Sequence, residues 1–432
     1  MPKCEGESAA TGGPVTARIH PIPSPATTPE QPVPAPSEEA GWLTPGVRGI
    51  GTASLLADVG HEIPTSLLPS LLTSTLGAPA ATLGIIEGVA DGLAGAARFG
   101  GGALADDPGR RRAIAVGGYA TTAVLSGLIG VATSVWQVAV LRSSAWFARG
   151  LRVPARNALL ADVVPAGAYG RAYGFERAMD NLGAILGPLL GIALIAAAGV
   201  RGAMLLSIIP GLLAVAAIVY AIRAAKLPRV AERQPIRFQV RPVLQGDLGR
   251  LLAAVSSFEL GNIAATLLIL RATELLTPGR GIDHAAQLGL ALYTAYNLAA
   301  TLISIPAGRH GDRRTPVEVL LAGTAAFAAA YLLLALTGAN LPILALGFVL
   351  AGIGIGCVET AEHAAVAHLA PKTLRGSAFG MLATVQSLGN FAASAIAGLL
   401  WTLVSPTAAF IYAAAWMTIA IIALTANRAT RG

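Results

Sequence analysis

The chain has 432 residues, 54% of them hydrophobic and only 12% charged, and a mean hydropathy of +0.65, whereas soluble chains carry about 25% charged residues. That balance excludes the ordinary water-soluble classes and indicates an all-α membrane protein. The formal charge of +7 and pI near 9.8 would suit nucleic acid in a soluble protein, but here they trace to the loops described below, and no nucleic-acid partner is expected.

Residues 1–47, with "HPIPSPATTPEQPVPAPSEEAG", are rich in Pro, Ser, Thr and Glu and lack the apolar centre of a signal peptide. They are expected to form a disordered tail. After them come apolar runs near 50–76, 80–104, 112–134, 136–160, 172–199 and 202–225. A basic stretch over 226–248 separates these from runs near 249–276, 285–309, 316–338, 341–368, 375–404 and 406–427. About 20 apolar residues cross a bilayer core. The pattern therefore predicts twelve transmembrane helices in two six-helix bundles, 48–225 and 249–428, joined by a 226–248 linker.

Lys and Arg fix the orientation. Arg110, Arg111, Arg112, Arg171, Lys226, Arg229, Arg233, Arg237, Arg241, Arg309, Arg313, Arg314, Lys372 and Arg375 fall in loops on the side of the N-tail, against Arg201 and Arg280 on the other. By the positive-inside rule both termini are cytoplasmic, in an inner (plasma) membrane.

Charges inside apolar helices are costly unless they face a cavity or a partner. The first helix places Asp58 and Glu62 one turn apart with His61 beside them, at about mid-depth. The second adds Glu87 and Asp91. Arg142, Arg149 and Arg156 stand seven apart on the fourth helix and form one stripe, with Arg152 adjoining. Glu176 and Asp180 follow on the fifth, Asp162 at the end of the fourth, and Glu259 on the seventh. One reading is a set of structural ion pairs near the cytoplasmic edge, covering Arg152, Arg156, Asp162 and Glu176. The other is a proton and substrate site, in which Asp58 or Glu62 pairs with Arg142 and exchanges between charged and neutral forms. Glu359, Glu362 and His363 lie late in the tenth helix, but no ligand set sufficient for a metal is seen. No phosphate loop, H-E-x-x-H or nucleophile elbow appears, so neither an enzyme nor a cofactor is expected.

The two halves also repeat. Gly102 and Gly308, Asp106 and Asp312, Pro165 and Pro371, "AYGF" at 172–175 and "AFGM" at 378–381, and "NLG" at 181–183 and "SLG" at 387–389 all stand 206 residues apart. Such an offset indicates a duplication and pseudo-symmetric bundles. In "GGALADDPGRRRA", Pro108 and Gly109 turn the chain between helices, and Arg111 and Arg112 read as anchors of a topogenic loop.

Two six-helix halves, a long loop between them, and Gly102, Asp106, Gly109, Arg110, Arg111 and Arg112 after the second helix resemble the major facilitator superfamily over about residues 48–428. Asp107 departs from the pattern, standing where the family has a cation. "GAILGPLLG", with Gly183, Gly187, Pro188 and Gly191, resembles the G-x-x-x-G-P-x-x-G stretch of the family's exporters, although small residues at this spacing also serve simple helix packing. The resemblance implies a secondary transporter working by alternating access. Asp106 would contact the N-terminal end of the eleventh helix, near Arg375 to Ser377, as a cytoplasmic gate, with Asp312 as its counterpart. An arginine early in the fourth helix recurs in proton-driven exporters, and Arg142 holds that place, although Ala145 or Trp146 stands where a Gly is expected. The implied activity is proton-coupled efflux of a small organic molecule by a monomer in the lipid bilayer. Alternatives are a symporter or uniporter for an anionic metabolite, a metal or metal-chelate transporter, or a non-transporting receptor or scaffold.

Overall fold

The computed structural model describes residues 41–226 and 235–429. The expected disordered tail lies outside them up to residue 40, as do residues 227–234 of the 226–248 linker. All regular structure among the described residues is helical: α1 (Pro45–Ser70), α2 (Ala80–Ala105), α3 (Pro108–Leu128), α4 (Val135–Val163), α5 (Tyr169–Leu206), α6 (Ile208–Ala224), the short α7 (Val240–Val243), α8 (Gly246–Glu259), α9 (Ala265–Leu276), α10 (Ile282–Arg313), α11 (Pro316–Leu336), α12 (Leu341–Leu369), α13 (Arg375–Leu403) and α14 (Pro406–Ala429).

Local chemistry sets the starts of several helices. Asp107 caps α3 by accepting from the Gly109 and Arg110 amides at 2.7 and 3.1 Å, with Pro108 in the first turn. Thr315 with Pro316, and Asn340 followed by a proline in the first turn, begin α11 and α12 in the same way. A cap accepts an otherwise orphaned amide proton, and proline has none to lose there. Asp107, out of place against the family pattern, thus has its own use.

Among the described residues, seven helical stretches are long and apolar enough to cross a membrane: Pro108–Val131, Ala166–Ala224, Ile282–Arg313, Pro316–Leu336, Leu341–Leu369, Lys372–Leu403 and Pro406–Ala426. Helices α1, α2 and α4 are as long as these but carry many of the interior charges. The expected fifth run ends at a turn, and the expected seventh is interrupted. Gly199 turns the chain within α5 at φ 68°, a conformation glycine adopts without a Cβ penalty. The 249–276 run is broken between α8 and α9.

Large apolar side chains such as Ile192, Leu302, Leu399 and Phe391 point outward, and much of the buried core is alanine. Small residues let helix backbones approach where lipid supplies no hydrophobic drive for association. Helix α1 packs on α5 and α6, α2 on α4, α10 on α12, and α11 on α12 and α14. Further contacts join segments before and after the linker, foremost α2 with α13 and α5 with α10, and also α5 with α12 and α4 with α13.

Candidate substrate and coupling site

At the end carrying the basic loops, α2 delivers Asp106 to the start of α13. Its Oδ1 accepts from the Ser377 amide at 2.9 Å and its Oδ2 from the Ser377 hydroxyl at 2.5 Å. A helix start offers free N–H groups and the positive end of the dipole, so a carboxylate suits it. Burial raises the Asp106 carboxyl above its ordinary pKa, while the Ser377 bonds and Arg111 act in the opposite direction. Asp312, at the end of α10, mirrors the arrangement. It accepts from the Gly170 amide at 2.6 Å, the Arg171 amide at 3.0 Å and Arg171 Nε at 2.8 Å. Gly102 and Gly308 make both contacts sterically possible. A Cβ on Gly102 would lie 2.8 Å from the Gly376 carbonyl oxygen, and one on Gly308 2.1 Å from that of Gly170.

The loop arginines differ from expectation. Arg110 donates its amide to Asp107, and Arg112 is half-buried. Arg111, read as a topogenic anchor, is buried: it donates to the Ala105 carbonyl at 2.7 Å and pairs with Asp162. Asp162 also takes Arg375 of α13 at 3.3 Å, and Arg375 reaches the Tyr169 hydroxyl at 2.5 Å. Arg111 therefore helps to build the contact between α4 and α13.

Deeper in the molecule, α1, α2, α4 and α5 gather a charged cluster. His61 Nδ1 lies 2.8 Å from the Ala57 carbonyl oxygen and 3.4 Å from Asp58 Oδ1, and its Nε2 is 3.4 Å from Glu62. The expected pairing of Arg142 with Asp58 or Glu62 is not formed. Arg142 instead bonds Glu87 at 2.9 Å and Thr65 at 3.0 Å, stacks 3.3 Å over the Trp146 ring, and leaves Arg149 as the cation near Asp58, at 3.9 Å. The reason is the helix neighbourhood: α4 packs extensively on α2, and little on α1. The Trp146 indole donates to Asp91 at 3.0 Å.

Further towards the loop end, Arg156 reaches Ser54 at 2.9 Å, Glu176 at 2.7 Å and Asp180 at 3.3 Å. It is buried rather than placed at a wetted edge. Arg152 makes no ion pair among the described residues; its guanidinium sits 3.9 Å over the Tyr119 ring, a cation–π contact that partly replaces the expected carboxylate.

On α5, the exporter-like stretch lies directly against the acids of α1. A Cβ on Gly183 would stand 2.7 Å from that of Asp58, and one on Gly187 2.5 Å from that of Glu62. Gly191 has more room, with Ser66 Oγ at 3.7 Å, and Pro188 is half-buried on the next turn.

The profile of the Major Facilitator Superfamily matches residues 50–277 and again 251–431. The chain belongs to this superfamily. An uncharacterized MFS-type transporter of Methanocaldococcus jannaschii is 29% identical over 376 residues, 86% of this chain and 92% of the relative. A gentisate transporter of Corynebacterium glutamicum is 28% identical over 375 residues, 82% and 81% of the two chains. A multidrug resistance protein of Escherichia coli is 26% identical over 311 residues, 67% and 70%.

In this facilitator-superfamily chain, a multi-pass membrane protein, two site residues, Arg177 and Arg98, escaped the sequence reading, and a third, Glu362, was given no role. Arg177 on α5 bonds Glu176 and Asp180 at 2.7 Å and lies 3.8 Å from Glu359 of α12. Arg98 on α2 donates to Ser387 of α13. Glu362 on α12 is fully buried. The signal that singled out Arg142, a charge inside an apolar run, was present for Arg98 and for Arg177. Glu362 stands in the sequence beside Glu359 and His363, where no metal ligand set is complete. His363 turns its Nδ1 to the Glu359 carbonyl at 2.7 Å instead and packs on Tyr173 and Phe379.

Proposed function

We propose that this chain is a proton-coupled exporter of a small organic molecule, with twelve membrane-crossing helices in two six-helix bundles and its basic loops in the cytoplasm. The α5 segments on either side of Gly199 supply the fifth crossing and the start of the sixth, and α8 with α9 the seventh. The latches at Asp106 and Asp312 then close the cytoplasmic side of an outward-facing conformation. Breaking them would admit cargo from within.

The observation that carries the reading is the seating of Gly183 and Gly187 on the α1 turn of Asp58, His61 and Glu62, beside Arg149 and the Arg142–Glu87 pair. A carboxylate shielded from water by close helix contact, with a guanidinium within a few ångströms, changes charge readily as the helices part. Asp58 and Glu62 are the proton carriers in this reading. Glu87, Asp91, Arg142, Arg149 and Asp180 set the field around them. The multidrug resistance relative supports efflux.

Proteoliposomes with an imposed pH gradient provide the test, with cargo first chosen by an accumulation screen in a host lacking its own pumps. Asp58→Asn and Glu62→Gln should each abolish gradient-driven accumulation and leave cargo exchange partly active, because exchange needs only the conformational cycle. Full accumulation by both variants would sink the α1 site. The gentisate transporter relative favours a second reading, import of an anionic metabolite; dissipating the gradient would then lower uptake of aromatic carboxylates instead of raising cargo retention.

A further inference from the structure

The second half contains acids that the α1 site does not use. Helix α8 ends at Glu259, and the chain is not helical again until Ala265. Bonds from distant helices hold this break: the Tyr412 hydroxyl donates to the Leu260 carbonyl at 2.9 Å, Asn390 Nδ2 to the Asn262 carbonyl at 2.8 Å, and the Ala264 amide to Ser394 Oγ at 2.9 Å. The break bends Asn262 back so that its side chain donates to Glu259 at 2.9 Å. On α13, Gly389 leaves room for this acid, since a Cβ there would lie 2.4 Å from that of Glu259. Gly183, 206 residues before Gly389, does the same for Asp58.

Glu259 is 3% exposed and Glu362 0%. Neither forms an ion pair among the described residues. Glu362 takes one hydrogen bond, from Gln386 at 2.9 Å to Oε2, and its Oε1 has no partner. Gln386, which bonds Glu362, and Gly389, which Glu259 covers, stand three residues apart on α13, so the two acids meet the same turn of that helix. Other groups facing the pair are neutral or already engaged. Tyr296 of α10 and Tyr331 of α11 are phenols, Glu359 has Arg177 at 3.8 Å, and His363 is turned to a backbone carbonyl. Arg98 of α2 comes to the same turn of α13, where it donates to Ser387.

A carboxylate without a counterion is not sustained in a low-dielectric interior; the group takes up a proton. We infer that Glu259 and Glu362 form a second proton-binding site, in the C-terminal half, with both carboxyl groups neutral while the basic-loop end is closed. Glu362 Oε1 is the free acceptor within that site. Arg98 arrives on α2, and the closed contact of α2 with α13 keeps it on Ser387. When that contact opens, Arg98 and water gain access to the pair and the protons leave. The inference rests on the proton-coupled reading for its purpose, although its test requires no transport.

Infrared difference spectroscopy of the full-length protein in lipid, in H₂O and D₂O at neutral pH, reads the protonated carboxyl C=O stretch. The wild type should show two isotope-sensitive components. Glu259→Gln and Glu362→Gln should each remove one, the double variant both, and Glu87→Gln neither. An amide replacing a neutral acid also preserves hydrogen bonding, so both single variants should unfold near the wild-type temperature. Single variants that each leave the wild-type components unchanged, absence of protonated-carboxyl components from the wild type, or loss of folded protein in the single variants would each overturn the site. Loss of both components together with unaltered gradient-driven transport would leave the site standing and remove it from coupling.

Discussion

The two latches at the basic-loop end are built on one plan and finished differently. Asp106 and Asp312 stand 206 residues apart, as do the helix starts they meet, Gly376–Ser377 and Gly170–Arg171. In both, an acid closes on backbone amides, an interaction that needs no particular side chain on the receiving helix. The side chain then differs. Ser377 adds a neutral hydroxyl, whereas Arg171 adds a charged bond at 2.8 Å. A similar contrast lies alongside. Asp162 holds Arg375 by charge, and 206 residues later His368 rests edge-on against Tyr169, ring centroids 4.9 Å apart. The backbone geometry repeats at the 206-residue offset while the side-chain chemistry differs, so that the two sides of the interface need not open with equal ease.

Steric change should produce the largest effect. In Gly308→Val, the new side chain would meet the Gly170 carbonyl, whose oxygen is 2.1 Å from the Cβ position, and backbone cannot yield as a flexible side chain does. Closure on the α5–α10 side should be lost. Spin labels on the loops following α4 and α10 should report only the open distance distribution. If the closed distribution survives, these helices do not meet backbone to backbone.

Much of this was legible in the sequence. The 206-residue offset located both acids, and the helix-start partner of Asp106 followed from family resemblance. The difference between Ser377 and Arg171 stands at the same offset and was equally open to reading. The break after Glu259 was not, because it is held by Tyr412, Asn390 and Ser394, each more than 120 residues away, and the local sequence has no proline to announce it. The partner of Arg142 was hidden for a related reason. Periodicity placed Arg142, Arg149 and Arg156 on one stripe, but which neighbouring helix each part of the stripe meets is decided by packing of α4 on α2, and Glu87 rather than Asp58 was the acid within reach.

Removing charge separates the two latches less drastically. Asp312→Asn gives up a charged hydrogen bond to Arg171 and weakens two to backbone amides, and should shift the equilibrium towards the open loop end by about 2–3 kcal/mol. Asp106→Asn loses no cation of that kind and should shift it by about 1–2 kcal/mol. The same label distances, or cysteine accessibility from the loop side, provide the measurement. Equal shifts would show that Arg171 contributes nothing beyond its amide, and the comparison between the latches would collapse to two copies of one contact.

The smallest effect should come from Ser377→Ala. The substitution removes the hydroxyl that donates to Asp106 at 2.5 Å but keeps the amide that donates at 2.9 Å, along with the dipole of α13. The amide and the helix dipole still hold the carboxylate, so loss of this one donor should cost about 1 kcal/mol net, and opening should rise roughly fivefold. Arg171→Ala, which also keeps its amide, removes a charged donor and should open its latch further than Ser377→Ala opens the other. An effect of Ser377→Ala as large as that of Asp106→Asn would mean that the hydroxyl, and not the helix start, is what the acid holds.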